Sequence, residues 1–201
     1  MKALLLIDIQ NDFLPGGSLA VPNGDKIISV ANQIHPLFEI VVATQDWHPT
    51  NHKSFASNHE GKNVFEKIDL NGLEQVLWPD HCVQGSVGAE FSPHLNLDKV
   101  EAIFRKGTDP EIDSYSGFFD NGHRKTTALA DYLRGKQVHQ IYILGLAGDY
   151  CVYYTAKDAL ELGFETCLVE DGIQSINMPD FEKAKADIIN LGGRVIRSSQ
   201  V

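Results

Sequence analysis

The stretch Ile141-Tyr142-Ile143-Leu144-Gly145-Leu146-Ala147-Gly148-Asp149-Tyr150-Cys151 decides the fold. Its first four residues are apolar strand formers. A glycine-rich turn follows, and Cys151 to Leu162 reads as a helix ending at Gly163, a residue suited to the left-handed C-cap. A strand feeding a helix through a short turn is the repeating unit of parallel sheets covered by helices. The same unit recurs outward in both directions. Ala3 to Ile9 is an apolar run ending in polar residues, as expected of a buried parallel strand. Pro15-Gly16-Gly17-Ser18 is a turn cluster. Asn23 or Asp25 can cap a helix carrying Ile27, Ile28, Val30, Ala31, Ile34 and Leu37. Ile40 to Thr44 and Ala102-Ile103-Phe104 read as strands, Thr126 to Leu133 as a helix. Beyond the central stretch come a strand at Thr166 to Val169, a helix from Asp180 to Leu191 and a short strand at Arg194 to Ile196. About six strands separated by helices predict an α/β fold: a single domain over residues 1–201, with a six-stranded parallel sheet and helices on both faces, a Rossmann-like three-layer sandwich.

Composition narrows the function classes. With 27 acidic residues against 17 Lys and Arg, the formal charge is −10. Such a surface repels polyanions, so nucleic acid and anionic membranes are not expected partners. No apolar run approaches a membrane span, and Asp8 interrupts the N-terminal one too early for a signal peptide. Three cysteines give no disulfide framework and suit a reducing cytoplasm. A chain of 201 residues can fold on its hydrophobic core without a metal or disulfide.

Between Asp46 and about Pro93 the strand–helix rhythm lapses. This segment holds four of the eight histidines and both tryptophans. A long irregular stretch in a compact domain is usually functional. Ligands in open parallel sheets bind outside the carboxyl ends of the strands, and the residues at those ends are chemical in character. They are Asp8 with Gln10, Asn11, Asp12 and Phe13; Asp46-Trp47-His48; Arg105-Lys106-Gly107; and the turn leading to Cys151.

Cys151 enters a helix from a glycine-rich turn, where free N–H groups and the positive helix end favour a thiolate and can bind an oxyanion. The geometry resembles the nucleophile elbow of serine hydrolases with sulfur in place of oxygen. An arbitrary helix cysteine is usually a small buried residue; at this rim the nucleophile is the better reading. Asp8 would ordinarily be a turn residue, but beside a thiol it can take the proton and return it to a leaving amine. Lys106, unremarkable alone, would hold Asp8 ionised and favour the thiolate. Asp46 and His48 fall on one side of an extended segment, and His81 follows in Trp78-Pro79-Asp80-His81-Cys82. One carboxylate and two imidazoles make an open divalent-metal site. His52, His59 and Cys82 are rival ligands. His35, His94, His123 and His139 read as surface, and Cys167 as core. Phe13, Trp78 and Tyr115 are either core aromatics or the walls of a slot for a flat ring.

Taken together, Asp8-Ile9-Gln10-Asn11-Asp12-Phe13, Asp46-Trp47-His48-Pro49, Trp78-Pro79-Asp80-His81-Cys82-Val83, Arg105-Lys106-Gly107 and Gly145-Leu146-Ala147 through Cys151-Val152 resemble the nicotinamidases of the isochorismatase-like cysteine hydrolase superfamily, along nearly the whole chain. The resemblance implies a catalytic triad of Asp8, Lys106 and Cys151. It implies metal ligands at Asp46, His48 and His81, with zinc expected and iron or manganese as alternatives. It further implies an oxyanion site at the N–H groups of Ala147 and Cys151, a cis peptide between Leu146 and Ala147, and substrate contacts from Phe13, Trp78, Leu146 and Ala147. The implied activity is hydrolysis of nicotinamide to nicotinate and ammonia in NAD salvage through a cysteine thioester, with pyrazinamide as a further substrate. The expected partner is therefore a small molecule, with a homo-oligomer left open and no nucleic acid or membrane.

Two other readings compete. Another amidase or isochorismatase-like hydrolase, acting on a substrate without a ring nitrogen, would not need the Asp46, His48 and His81 set. A non-catalytic doubly wound domain that binds nucleotides would carry a glycine-rich phosphate loop after the first strand; Asp8 and Asp12 there repel phosphate.

Overall fold

The computed structural model describes residues 1–201. Eight strands and four α-helices occur in chain order as β1 (Lys2–Ile7), α1 (Ile27–Ile34), β2 (Ile40–Asp46), β3 (Lys67–Leu70), β4 (Leu73–Val76), β5 (Val100–Lys106), α2 (Leu129–Gly135), β6 (Gln140–Gly145), α3 (Tyr153–Glu161), β7 (Glu165–Ile173), α4 (Met178–Asn190) and β8 (Arg194–Ile196). Six strands form one sheet in the order β5-β2-β1-β6-β7-β8, and every pairing in it is parallel. This is the predicted architecture.

β1 is central because it can be. Ala3, Leu4, Leu5, Leu6 and Ile7 are all 0% exposed, so neither face of the strand meets water. β2 is buried along its whole length as well. The chain winds from β1 through α1 to β2 on one side, and through β6 to β7 and β8 on the other. Right-handed crossovers then place α1 on one face of the sheet and α3 and α4 on the opposite face. The order reverses between β1 and β6, so a crevice opens there at the carboxyl ends of the strands. Asp8 follows β1 and Cys151 follows β6.

Element boundaries differ from the sequence reading where local geometry intervenes. β5 is longer than Ala102–Phe104 and ends on Lys106, whose register partner on β2 is Asp46. The helix read from Thr126 starts at Leu129, after Ala128 takes a left-handed conformation with φ of 70°. The helix read from Cys151 starts at Tyr153, because Gly148–Val152 forms a wider π turn. Asn23 is left-handed and makes no side-chain cap. The antiparallel hairpin β3–β4 lies inside the stretch read as irregular. Its turn, Asn71-Gly72, has φ of 53° and 84°, the pair of positive values that asparagine and glycine accept in tight hairpins. His35, expected at the surface, is buried in the turn that ends α1, with Nδ1 near the Asn32 carbonyl.

Candidate active site

The carboxyl ends of four neighbouring strands bring together the residues expected to do chemistry. Asp8 leaves β1 with φ of 48° and is completely buried. The Thr44 hydroxyl donates to its Oδ1 at 2.6 Å. Lys106 is also buried; its Nζ lies 3.0 Å from Asp8 Oδ2 and donates to Asp46 Oδ1 at 3.0 Å, the Ser114 carbonyl at 2.9 Å and Cys151 Sγ at 3.4 Å. The Cys151 thiol also lies beside the Asp8 carboxyl, whose charge acts on it. Asp8, Lys106 and Cys151 thus form one contiguous cluster.

Burial sets the charges of this cluster. It pushes the Asp8 carboxyl up, and Lys106 offsets only part of the rise. It works against the Lys106 ammonium, yet Asp46 and Asp8 outweigh it and hold Lys106 charged well past its ordinary range. It pushes the Cys151 thiol well above its usual value, with Lys106 opposing and Asp8 and Asp46 reinforcing. The sequence reading has the helix end and Lys106 favour the thiolate. In the structure the desolvation of a buried sulfur opposes ionisation more strongly than one ammonium favours it. Asp8 is placed to remove the thiol proton.

A second cluster adjoins the first. Asp46 Oδ2 lies 3.0 Å from His48 Nε2 and 3.3 Å from His81 Nε2. The other nitrogens of both rings face backbone carbonyls: His48 Nδ1 lies 2.9 Å from the Gly107 carbonyl and His81 Nδ1 2.8 Å from that of Pro79. With Nδ1–H donated to those carbonyls, both Nε2 lone pairs point at a carboxylate oxygen. Such a donor set fits a divalent cation, and its outer hydrogen bonds are those that orient metal-binding imidazoles. Asp46, His48 and His81 are all buried, with ligand atoms within 4.8 Å of one another. Gly107 makes room for this arrangement: with φ of +65°, a Cβ there would lie 2.3 Å from His48 Cε1.

The rival ligands are placed differently. His59 Nε2 faces the Lys53 carbonyl at 2.7 Å. Cys82 is buried but not part of either ligand group. His52 stays close, with its ring 4.3 Å from that of His48. A ligand atom of His52 lies within 4.8 Å of those of His48 and Asp113, and its Nε2 is buried without a hydrogen-bond partner.

Both clusters contribute to one narrow pocket lined mainly by Phe13, Leu19, Trp78, Tyr115, Tyr150 and Ile176, together with the polar residues Asp46, His81, Asp113 and Cys151. Phe13, Trp78 and Ala147 line it as expected. Leu146 does not. Its peptide to Ala147 is cis, its side chain is buried in the core, and its N–H donates to Ile7 at 2.9 Å, so only the smaller Ala147 faces the pocket. The sequence reading missed Leu19, Asp113, Tyr150 and Ile176. Tyr150 stood beside Cys151 and was open to inference. Leu19 and Ile176 arrive on loops folded over the rim, and no local pattern marks them.

The isochorismatase domain pattern matches residues 2–200, and the chain belongs to the isochorismatase family. It is 48% identical over 189 residues to the Escherichia coli K12 nicotinamidase, covering 92% of this chain and 88% of that one. Among solved structures it is similar to the Acinetobacter baumanii nicotinamidase/pyrazinamidase, with a TM-score of 0.96 and 46% identity over 99% of this chain and 97% of that one. It is also similar to the zinc complex of the Pyrococcus horikoshii pyrazinamidase, with a TM-score of 0.81 and 40% identity, covering 98% of both chains.

Proposed function

We propose that this chain is a nicotinamidase, an amidohydrolase converting nicotinamide to nicotinate and ammonia, with pyrazinamide as a second substrate and NAD salvage as its setting. One observation carries the reading: the Cys151–Asp8–Lys106 cluster adjoins the Asp46–His48–His81 donor set, and Cys151, Asp46 and His81 line a single aromatic pocket. An amide hydrolase needs the first, and a substrate with a basic ring nitrogen gives the second a purpose.

Asp46, His48 and His81 would hold a divalent cation, zinc first and iron or manganese as alternatives. When bound, it supplies a docking point for the pyridine nitrogen and draws electron density from the carboxamide. The residues of the chain do the rest. Phe13 and Trp78 confine the flat ring. Asp8 accepts the Cys151 proton as sulfur forms its bond to the carboxamide carbon, and the N–H groups of Ala147 and Cys151 receive the developing negative charge on oxygen. Asp8 passes the proton to the leaving nitrogen, ammonia departs, and a thioester remains. Asp8 then takes a proton from water; hydroxide adds to the thioester carbon, and the thiol is restored as nicotinate leaves. Lys106 stays charged throughout and limits the cost of burying two carboxylates side by side. Its three acceptors fix it in place.

No helix is long and apolar enough to cross a membrane, and the three cysteines are free and buried, which suits a reducing compartment. The deciding experiment is ammonia release from nicotinamide by purified protein, with benzamide beside it. Rapid release from nicotinamide and slow release from benzamide are expected. Absence of release from nicotinamide by zinc-loaded protein would overturn the reading.

A further inference from the structure

In the segment Asp8 to Phe13, the mechanism uses Asp8 and Phe13. It gives no task to Gln10 or Asp12, although both are tied to the donor set. Gln10 is completely buried. Its Oε1 accepts the Asp46 N–H at 2.8 Å, while its Nε2 donates to the Asp46 carbonyl at 2.8 Å and the Ala89 carbonyl at 2.9 Å. The side-chain amide grips both polar groups of the Asp46 residue. It does so where the β1–β2 ladder has already ended, at Ile7 and Thr44. Gln10 therefore continues the sheet by one step after the backbone of β1 has turned away.

Asp12 performs the matching task on the other ligand segment. Its Oδ2 accepts the Cys82 N–H at 2.7 Å, one residue beyond His81. Cys82 has φ of 47°, an uncommon conformation for a residue with a side chain, and the Asp12 carboxylate is the group that meets its N–H. Asp12 Oδ1 accepts the Ser18 N–H at 3.3 Å, next to pocket residue Leu19. Space for the carboxylate is reserved by Gly88, where a Cβ would lie 2.1 Å from Asp12 Oδ2.

Asp46 and His81 come from segments distant in sequence, and the two segments meet directly at only one isolated parallel bridge, His48 with Val83, where the His48 N–H donates to the Cys82 carbonyl at 3.0 Å and the Gln84 N–H to the His48 carbonyl at 2.9 Å. The geometry points to Gln10 and Asp12 as positioning residues: from a single short turn they clamp the Asp46 and His81 segments at the separation a divalent cation requires, and hold both in register with Asp8. This inference rests on the reading of Asp46, His48 and His81 as metal ligands. Hydrogen bonds one shell out from a metal typically affect its affinity by about 10–100-fold, so affinity is the quantity to measure.

The test is zinc affinity by chelator competition, together with kcat and KM for nicotinamide at saturating zinc. The proteins are wild type, Gln10→Met, Asp12→Ala, Asp12→Asn, Asn11→Ala and His48→Ala. Methionine keeps the volume of Gln10 without its hydrogen bonds. Asparagine keeps an acceptor for the Cys82 N–H. Asn11 shares the turn and donates to the Val87 carbonyl, but touches neither ligand segment. Gln10→Met and Asp12→Ala should each bind zinc about 10–100-fold more weakly, Asp12→Asn should recover most of the loss, and Asn11→Ala should match wild type. If Gln10→Met does not fold, Gln10→Asn, one methylene too short to span the Asp46 peptide, takes its place. Wild-type zinc affinity in the folded Gln10 and Asp12→Ala variants would overturn the clamp while leaving the ligand assignment standing. Wild-type affinity in His48→Ala would instead overturn the ligand assignment itself.

Discussion

The Lys106 ammonium donates to the Cys151 sulfur at 3.4 Å, yet burial pushes that thiol well above its usual value. An ammonium beside a cysteine is commonly read as making a resting thiolate. Here the same ammonium sits among the carboxylates of Asp8 and Asp46, whose negative charges add to burial in opposing a thiolate. In the proposed mechanism the nucleophile therefore forms as Asp8 takes the proton.

Removing the thiol separates chemistry from binding. Cys151→Ala should abolish turnover while retaining bound metal and affinity for nicotinamide, measured by calorimetry. In wild type, iodoacetamide should alkylate Cys151, which is 7% exposed, before Cys82 or Cys167, both at 0%. Peptide mass spectrometry reads the order. Turnover by Cys151→Ala would rule out the thioester route.

Asp8→Asn keeps the shape of the side chain but cannot accept a proton. Loss of a general base typically costs about 10²–10⁴-fold in rate. Because Asp8 serves both half-reactions, the fall in kcat should lie at the upper end of that range. Steady-state kinetics on zinc-saturated protein check it, and a loss under tenfold would require another base.

The pH profile follows from the same contacts. Asp8 works as the base only when ionised, and burial raises its pKa. The acid limb of kcat/KM should therefore lie above the ordinary carboxylate range. Lys106 opposes that rise, so Lys106→Met should move the limb to higher pH as well as lower the rate. An acid limb that stays put in Lys106→Met would show that Asp8 is not the titrating group.

Metal-free protein should lose stability in mild acid through His52. Burial first, and His48 second, lower its pKa from 6.5 to about 4. The folded state then disfavours the imidazolium, so stability is whole above the unfolded value and falls as pH drops from 6.5 toward 4. The full loss is on the order of 3 kcal/mol. Urea titrations of chelator-treated protein across this interval should show the slope, and His52→Asn should flatten it.

His48→Ala tests the purpose of the donor set. It should fold with near-normal helix content by circular dichroism, lose bound metal, and lose activity through poor ring positioning. Benzamide has the shape of nicotinamide without the ring nitrogen, so the preference for nicotinamide over benzamide should shrink in the variant. An undiminished preference in metal-free protein would reduce the donor set to a scaffold.

Much of this was legible in the sequence because the sheet is buried. Strands such as Leu4–Ile7 and Ile141–Leu144 had to be continuously apolar, and that made the polar residues ending them conspicuous. Asp8, Asp46, Lys106 and Cys151 stand out for this reason. Three things escaped. The β3–β4 hairpin hid among polar residues, although Asn71-Gly72 is a recognisable turn signal. Leu146 was expected in the pocket, but its side chain joins the core instead, and which way a side chain points from an irregular turn is not encoded in local pattern. The upward push on the Cys151 thiol comes from burial in the folded chain, which no reading of neighbours along the sequence could supply.

The strand order has one more consequence. Asp46 ends β2, Cys151 follows β6, and β1 lies between them. The ends of the two strands are thus two inter-strand steps apart, about 10 Å between backbones. Side-chain substitution cannot easily stretch such a span. With the donor set holding the ring nitrogen and Cys151 attacking the carboxamide, as proposed above, the sheet would act as a ruler for the distance between those two groups. Picolinamide and isonicotinamide carry the same two groups at one position less and one position more around the ring. Displacements near 1 Å can cost on the order of 10²-fold in rate, so both isomers are expected to be poorer substrates than nicotinamide, through backbone geometry rather than through contact with the carbon atoms that differ.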